Sequence, residues 1–430
     1  MIYKLQINEL NGEKDNNKNI RFYNDLTILV GDNGSGKTTC LDILNSILTN
    51  SYLKLFNHEF SSIILDTSNE VISISKTNAE ILNVKISTSN DVFEFKVMNN
   101  RDESESPEPF VNFNSIYFPT FRRIETDFLE LSNSLYRNSI NQLHRHEEYV
   151  GKRYIEDLSI RLSEQNRIIL GLTNKDINKL ISKKWNEVIE FEKTKLNQLI
   201  KDFFLSLVDI SMIDNGFPLT NNIEIDEINN GLENLFVTAG YIERDDISSL
   251  NMIKEYTNSI EWSKKTLETP NSNDNITEAL KVMISYEKVE KLIQMYNEAH
   301  KEISKKKAQF DNLKMTLSKF LNKKVELEDG NLIFIKKGRI LKYEDLSAGE
   351  KQLVALFVYT KLSADNESIV IIDEPELSLH IKWQRELIEA LMDGENDKQF
   401  IISTHSPFII SNSHKHIYEL GEVGEYSYEF

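Results

Sequence analysis

Two kinds of hydrophobic pattern divide this chain. Residues 25–30 (Asp-Leu-Thr-Ile-Leu-Val), 369–372 (Ile-Val-Ile-Ile) and 399–404 (Gln-Phe-Ile-Ile-Ser-Thr) are short, nearly continuous apolar runs. Runs without polar alternation predict parallel strands covered on both faces. After the first of them, residues 39–48 place apolar side chains at helical spacing, so a strand, a turn and a helix follow one another. Residues 324–330 and 331–340 alternate instead, as strands joined by glycine-containing turns do. Between these blocks, from about residue 124 to 324, the pattern is mostly helical. Apolar residues recur near heptad spacing at Val282, Tyr286, Val289, Ile293, Tyr296, Ile303, Phe310, Leu317 and Leu321, interrupted by His300, Lys307 and Lys314. A second run at Ile177, Ile181, Val188, Leu199 and Phe203 offers an antiparallel partner. One helix over residues 277–323 would be roughly 70 Å long. Turn-forming clusters at 214–218 and 270–275 break the insert. The pattern allows a coiled-coil arm that doubles back and equally a compact helical bundle.

The turn after the first strand reads Gly31-Asp32-Asn33-Gly34-Ser35-Gly36-Lys37-Thr38-Thr39. Its glycines let backbone N–H groups curl toward a phosphate, and the helix behind it adds its positive end. Lys37 is placed to reach the β and γ phosphates and the Thr38 hydroxyl to ligate Mg²⁺. The second apolar run ends in Asp373-Glu374-Pro375-Glu376. An acidic pair after a strand is ordinarily a solvated turn, but with the glycine-rich loop upstream it reads as a metal-positioning carboxylate, Asp373, and a water-orienting one, Glu374. The third run delivers His405 to the carboxyl end of the same sheet, where α/β folds bind their ligands. His58, His144, His146, His414 and His416 have no such context, and no pair of them has convincing metal-ligand spacing beside carboxylates or cysteines.

Length and charge narrow the class. With 430 residues the chain is long enough for two domains or more. A formal charge of −18 argues against a uniformly basic surface for nucleic acid. Lys305–Lys307 and the Lys323-Lys324 pair are candidate local contacts, although a lysine run on a helix is ordinarily its solvated face. No apolar stretch approaches ~20 residues, so no membrane span is expected, and the first residues lack a signal-peptide layout. Cys40 is the single cysteine, consistent with a small buried residue in a reducing cytoplasm and incompatible with a Cys-x-x-Cys zinc hook. Residues 102–109, acidic with two prolines, read as an exposed loop, and no repeat with a period of roughly 20–50 residues is seen.

A fourth motif, Leu346-Ser347-Ala348-Gly349-Glu350-Lys351-Gln352, completes a recognisable order. Together the four resemble the head domain of ABC-type ATPases, in the branch that includes SMC and RecF-like proteins. The resemblance implies an α/β head, a P-loop sheet with a β lobe, split by the long helical insert. The expected parts are residues 1–123 and 325–430 for the halves of the head and 124–324 for the insert. It also implies a homodimer through the ATP sites, or a higher oligomer built on it, in which Ser347, Gly349 and Glu350 of one protomer face ATP and Mg²⁺ held by residues 33–39 of the other. Glu374 and His405 are the implied catalytic pair, Thr38 and Asp373 the implied metal ligands.

The chain departs from the family at two places. No glutamine lies between Gln6 and Gln142 to serve as the family's Q-loop residue. Residues 115–120 lead there into Phe121-Arg122-Arg123, a phosphate or partner contact or a surface basic pair. His380 stands where transporter-type members carry an aspartate, and Glu-Pro-Glu-Leu-Ser-Leu-His is similar to ATPases related to the OLD nucleases and to prokaryotic anti-phage ATPases. Few residues follow His405, so no TOPRIM nuclease module is expected. The resemblance then points to the ATPase subunits of anti-phage systems, such as AriA of PARIS or PtuA of Septu, which work with a separate nuclease or toxin effector. A RecF-like or SMC-like DNA-repair clamp and an ATP-bound scaffold with negligible hydrolysis are the competing readings.

Overall fold

A computed structural model describes residues 1–99, 113–120, 174–208, 225–243, 245–269, 275–363, 368–377, 379–395, 397–411 and 416–420. The expectations for residues 102–109, Arg122, Arg123, His144, His146, residues 214–218, residues 270–274 and His414 lie outside the described residues. The chain divides into two compact units, one of Met1–Ser182 with Asn312–Phe430 and one of Lys183–Asp311. The second lies within the expected insert.

Among its described residues, the first unit holds three sheets. Strands β1 (Ile2–Asn8), β2 (Lys18–Arg21), β4 (Ser62–Thr67), β5 (Glu70–Asn78), β6 (Ile81–Thr88) and β7 (Val92–Met98) form an antiparallel sheet in the order β2-β1-β4-β5-β6-β7. Burial alternates along β4 and along most of β5 and β6, as it does when one face of a sheet meets a core. A parallel sheet in the order β14-β3-β13-β12-β8 joins β3 (Leu26–Val30), β8 (Ser115–Phe118), β12 (Ile369–Asp373), β13 (Gln399–Ser403) and β14 (Ile417–Glu419). Every residue of β8, β12 and β13 is buried, which is what the unbroken apolar runs of β12 and β13 predict. The main core lies among both sheets and helix α1 (Lys37–Leu48), whose Cys40, Leu41, Ile43, Leu44 and Ile47 pack with Leu5, Ile63, Ile371 and Ile401. Burial pushes the Cys40 thiol up to about 12, so it packs as an inert small residue.

Gln399 stitches the two large sheets together. Its fully buried amide accepts a hydrogen bond from Ile2 N and donates to Ile2 O and Tyr23 O, each at 2.8 Å. A third, three-stranded sheet is formed by β9 (Lys324–Glu328), β10 (Asn331–Lys336) and β11 (Arg339–Leu341).

The helical unit is built from α2 (Asn174–Val208), α3 (Ile225–Thr238), α4 (Ile247–Glu268) and α5 (Ile276–Leu321). The heptad-like run lies on one uninterrupted helix, α5. Contacts ascend α2 as they descend α5, from Trp185 against Phe310 through Glu192 with Lys307 to Lys195 with Glu302, so the two are antiparallel. Farther along, α3 and α4 add Ile228, Leu232, Ile253 and Ile260 to a core with Met283, Tyr286 and Ile293. Leu199 and Leu235 share a second core with Leu292 and Tyr296. Among the described residues the insert thus holds an antiparallel pair, α2 with α5, and a multi-helix cluster of α3, α4 and α5.

Replacing Gln399 by leucine keeps the volume but leaves the buried Ile2 N–H and carbonyl, and the partly buried Tyr23 carbonyl, without this partner. Each unsatisfied group costs ~1–3 kcal/mol, so Gln399→Leu should destabilise the protein by roughly 3 kcal/mol or more in urea unfolding. A change below about 1 kcal/mol would show that the stitch carries little energy.

Candidate nucleotide site

The glycine-rich loop connects β3 to α1. Gly31 has φ 153°, and a Cβ there would lie 2.6 Å from Leu420 O, so backbone proximity forbids any side chain. Gly36, with φ 94°, adopts the left-handed conformation at the N-cap of α1. The loop thereby turns sharply into the helix. Inside the turn, buried Lys37 donates to Gly31 O (2.9 Å) and Asp32 O (3.1 Å). Burial holds its pKa below the ordinary lysine value, while Glu374, Asp373, Glu376 and Asp32 work in the opposite direction. The Ser35 hydroxyl is buried without a hydrogen-bond partner.

Asp373 ends β12 and Thr38 opens α1. The acidic strand is not the immediate neighbour of β3, because β13 lies between them. Thr38 Oγ1 nevertheless donates to Asp373 Oδ2 at 2.9 Å, and Ser403 at the end of β13 donates to Asp373 Oδ1. Burial pushes the Asp373 carboxyl up to about 6, against the lowering effect of the two hydroxyls. Glu374 follows at φ 49°, an uncommon conformation for a side chain of its size. Its N–H donates to Ser403 O at 3.0 Å, and its Oε1 lies 3.6 Å from His405 Nε2. His405 is exposed just past β13.

Ser347 caps helix α6 (Ala348–Val358) in a reciprocal box with Glu350: Ser347 N donates to Glu350 Oε2 (2.9 Å) and Glu350 N to Ser347 Oγ (3.4 Å). Glu350 also pairs with buried Lys323. Burial works to raise the Glu350 pKa, but Lys323 and the Ser347 hydrogen bonds outweigh it and the carboxyl lies below its usual range. Ser347 faces solvent and Gly349 is buried. Gln352 on α6 donates to Pro375 O at 3.2 Å, linking this helix to the acidic turn. Thr39, Asn33 and Gly34 lie on the loop or its helix, Gly34 with open space around its Cα. His380 caps α7 (Ile381–Met392) by accepting from Lys382 N.

The structure thus brings Lys37, Thr38, Asp373, Glu374 and His405 to one end of the parallel sheet. Ser403 and Glu376 are neighbours to which motif reading gives no role, since a serine ending a strand and a turn glutamate carry no local signature; Gln352 ends the Leu346–Gln352 motif, but its bond to Pro375 O is not written there. Among the described residues, no three His, Cys, Asp or Glu side chains could hold a metal ion by themselves. One hydroxyl and one carboxylate do fit Mg²⁺, which completes its shell with phosphates and water. The unpartnered Ser35 hydroxyl inside the glycine turn likewise fits an anion.

A carboxyl with a folded pKa above its unfolded value holds its proton more tightly when folded. Its contribution is therefore favourable in acid and is lost as pH rises from about 3.8 through about 6. Without nucleotide, Asp373→Asn should resist urea better than the natural chain at pH 8 by on the order of 2 kcal/mol, with the difference shrinking toward pH 4. Equal urea midpoints at both pH values would contradict this account of Asp373.

Retron Vc95 probable ATPase of Vibrio cholerae serotype O1 biovar El Tor is 37% identical over 92 residues, 19% of this chain and 18% of its own length. Retron Ec83 probable ATPase of Escherichia coli is 36% identical over 99 residues, 20% of this chain and 18% of its own. The chain therefore spans less than a fifth of the length of these curated relatives. A solved Smc head domain with an extended coiled coil, bound to the C-terminal domain of ScpA and derived from Pyrococcus furiosus, aligns over 97% of this chain and 92% of that one. Its TM-score is 0.37 and its identity 14%. Among the described residues, no helix is long and apolar enough to cross a membrane. The AAA ATPase domain model matches residues 1–410, and by that match the chain belongs to the AAA ATPase domain family.

Proposed function

We propose that this protein binds and hydrolyses ATP between two copies of itself and uses that cycle to control a separate effector protein in prokaryotic anti-phage defence. The observation that carries the reading is the joining of Thr38 to Asp373 beside the Glu374–His405 pair, at the end of one parallel sheet. Likeness to the probable ATPases of two retrons supports it.

Residues 33–39 turn backbone N–H groups and the positive end of α1 toward the triphosphate. Lys37, with two of its three donors on loop carbonyls, keeps one for a phosphate oxygen. Thr38 and Asp373 would hold Mg²⁺, which would offset the negative charge of the phosphates. Glu374 orients the attacking water and accepts its proton, and His405 stabilises charge on the transferred group. Ser347, exposed at the start of α6, and Gly349 behind it approach the γ-phosphate of the partner's site, with Glu350 holding the cap in shape. Closure needs ATP on both sides, so nucleotide controls the dimer.

Two measurements test the reading. Glu374→Gln protein should shift from monomer to dimer in native mass spectrometry when ATP and Mg²⁺ are added; a mass indifferent to nucleotide would sink the clamp. Replacing Ser347 by tryptophan should abolish that dimer and leave ATP affinity within about threefold, or about 0.7 kcal/mol. Loss of ATP binding itself would remove Ser347 from the facing surface.

A further inference from the structure

Glu376 follows the acidic pair and has no part in the scheme above. Its Oε1 accepts hydrogen bonds from two consecutive backbone amides, His405 N at 2.6 Å and Ser406 N at 3.1 Å. Hydrogen bonds to an ionised acceptor are roughly twice as strong as neutral ones, and here both fall on the segment that presents His405. A second path reinforces the first. Gln384 on α7 donates to Leu379 O (2.9 Å) and Glu376 O (3.4 Å), and its Oε1 accepts from Ser406 Oγ at 2.7 Å. The turn after β12 and the loop after β13 are therefore fastened to each other at the point where Glu374 and His405 face across.

The other oxygen of the carboxylate is informative. Glu376 Oε2 is buried and has no hydrogen-bond partner. A glutamate kept for packing alone would be replaceable by a residue without that unpaired acceptor, whose burial is unfavourable. What the structure shows of Glu376 is the grip of its Oε1 on the histidine loop.

We propose that Glu376 is the positioning residue of this site: it sets His405 relative to Glu374 by gripping the His405 and Ser406 amides. The inference rests on the hydrolytic reading of Glu374 and His405. His405 Nε2 and Glu374 Oε1 are 3.6 Å apart, beyond a good hydrogen bond, so a small displacement of the histidine backbone decides whether the two engage. Misplacement by about 1 Å is enough to cost on the order of 100-fold in rate.

The test compares two substitutions. Glu376→Ala removes the acceptor, whereas Glu376→Gln keeps an amide oxygen with two lone pairs that accepts from both N–H groups. Glu376→Ala should lower kcat for ATP roughly 10–100-fold with KM changed by less than about threefold. Glu376→Gln should stay within about threefold of the natural rate. The His405→Ala, Glu376→Ala double variant should be no slower than His405→Ala alone, because one residue acts through the other. Hydrogen exchange at the His405 and Ser406 amides should quicken in Glu376→Ala and remain near the natural rate in Glu376→Gln. This arm does not depend on turnover. If the natural chain hydrolyses no ATP, the hydrolytic reading fails, while exchange still decides whether Glu376 grips the loop. Unchanged exchange in Glu376→Ala, or a double variant slowed by the full factor of each single one, overturns the proposal.

Discussion

The buried carboxylate of Asp373 is the constraint around which the site is arranged. It ends β12, takes one hydroxyl from Thr38 at the start of α1 and another from Ser403 at the end of β13. Burial disfavours its ionised form, and hydroxyl donors alone leave its pKa up at about 6. A carboxylate in this position is poorly served by the protein itself and well served by a divalent cation. The same tension surrounds Lys37, whose charge is disfavoured by burial and favoured by four nearby carboxylates. Both groups are more costly to the chain without a ligand than with one, which is how a binding site differs from a packed core.

From that point the other motifs are tied in by backbone carbonyls and amides. Gln352 joins α6 to the acidic turn through Pro375 O, and Glu376 joins the turn to the histidine loop. At the far side of α6, Lys323 pairs with Glu350, and Phe320 packs edge-on against Phe357. Residues 312–321, the end of α5, belong to the same compact unit as the site. The capping box of α6 is thus shared between the exposed Ser347 and a buried ion pair next to the end of a 46-residue helix. Removing one partner of a buried pair leaves an uncompensated charge, so loss of either Lys323 or Glu350 costs more than loss of an exposed pair.

Much of the architecture was legible because it is written in local periodicity. Unbroken apolar runs marked β3, β12 and β13 but not β8 or β14, and the spacing through Tyr286, Ile293, Ile303 and Phe310 marked one long helix. The glycine-rich loop declared itself through residues whose backbone conformation few others adopt. Less legible was the helical insert, where α3 and α4 join α5 through Ile228, Leu232, Ile253 and Ile260 in contacts that periodicity does not assign to a partner. Gln399 was read as the start of a strand, yet its amide bridges residues almost four hundred positions away in the chain.

By itself the sequence determined the class of chemistry: which residues are able to cradle a phosphate, ligate a cation or orient a water, and the order in which they come. Tertiary structure decided which groups satisfy one another. Strand order placed β13 between β3 and β12, and from that followed the Ser403 hydroxyl on Asp373 and the grip of Glu376 on His405. Neither partnership has a sequence signature, because a hydrogen bond between distant residues depends on register and strand order, and those are set by burial of the whole sheet.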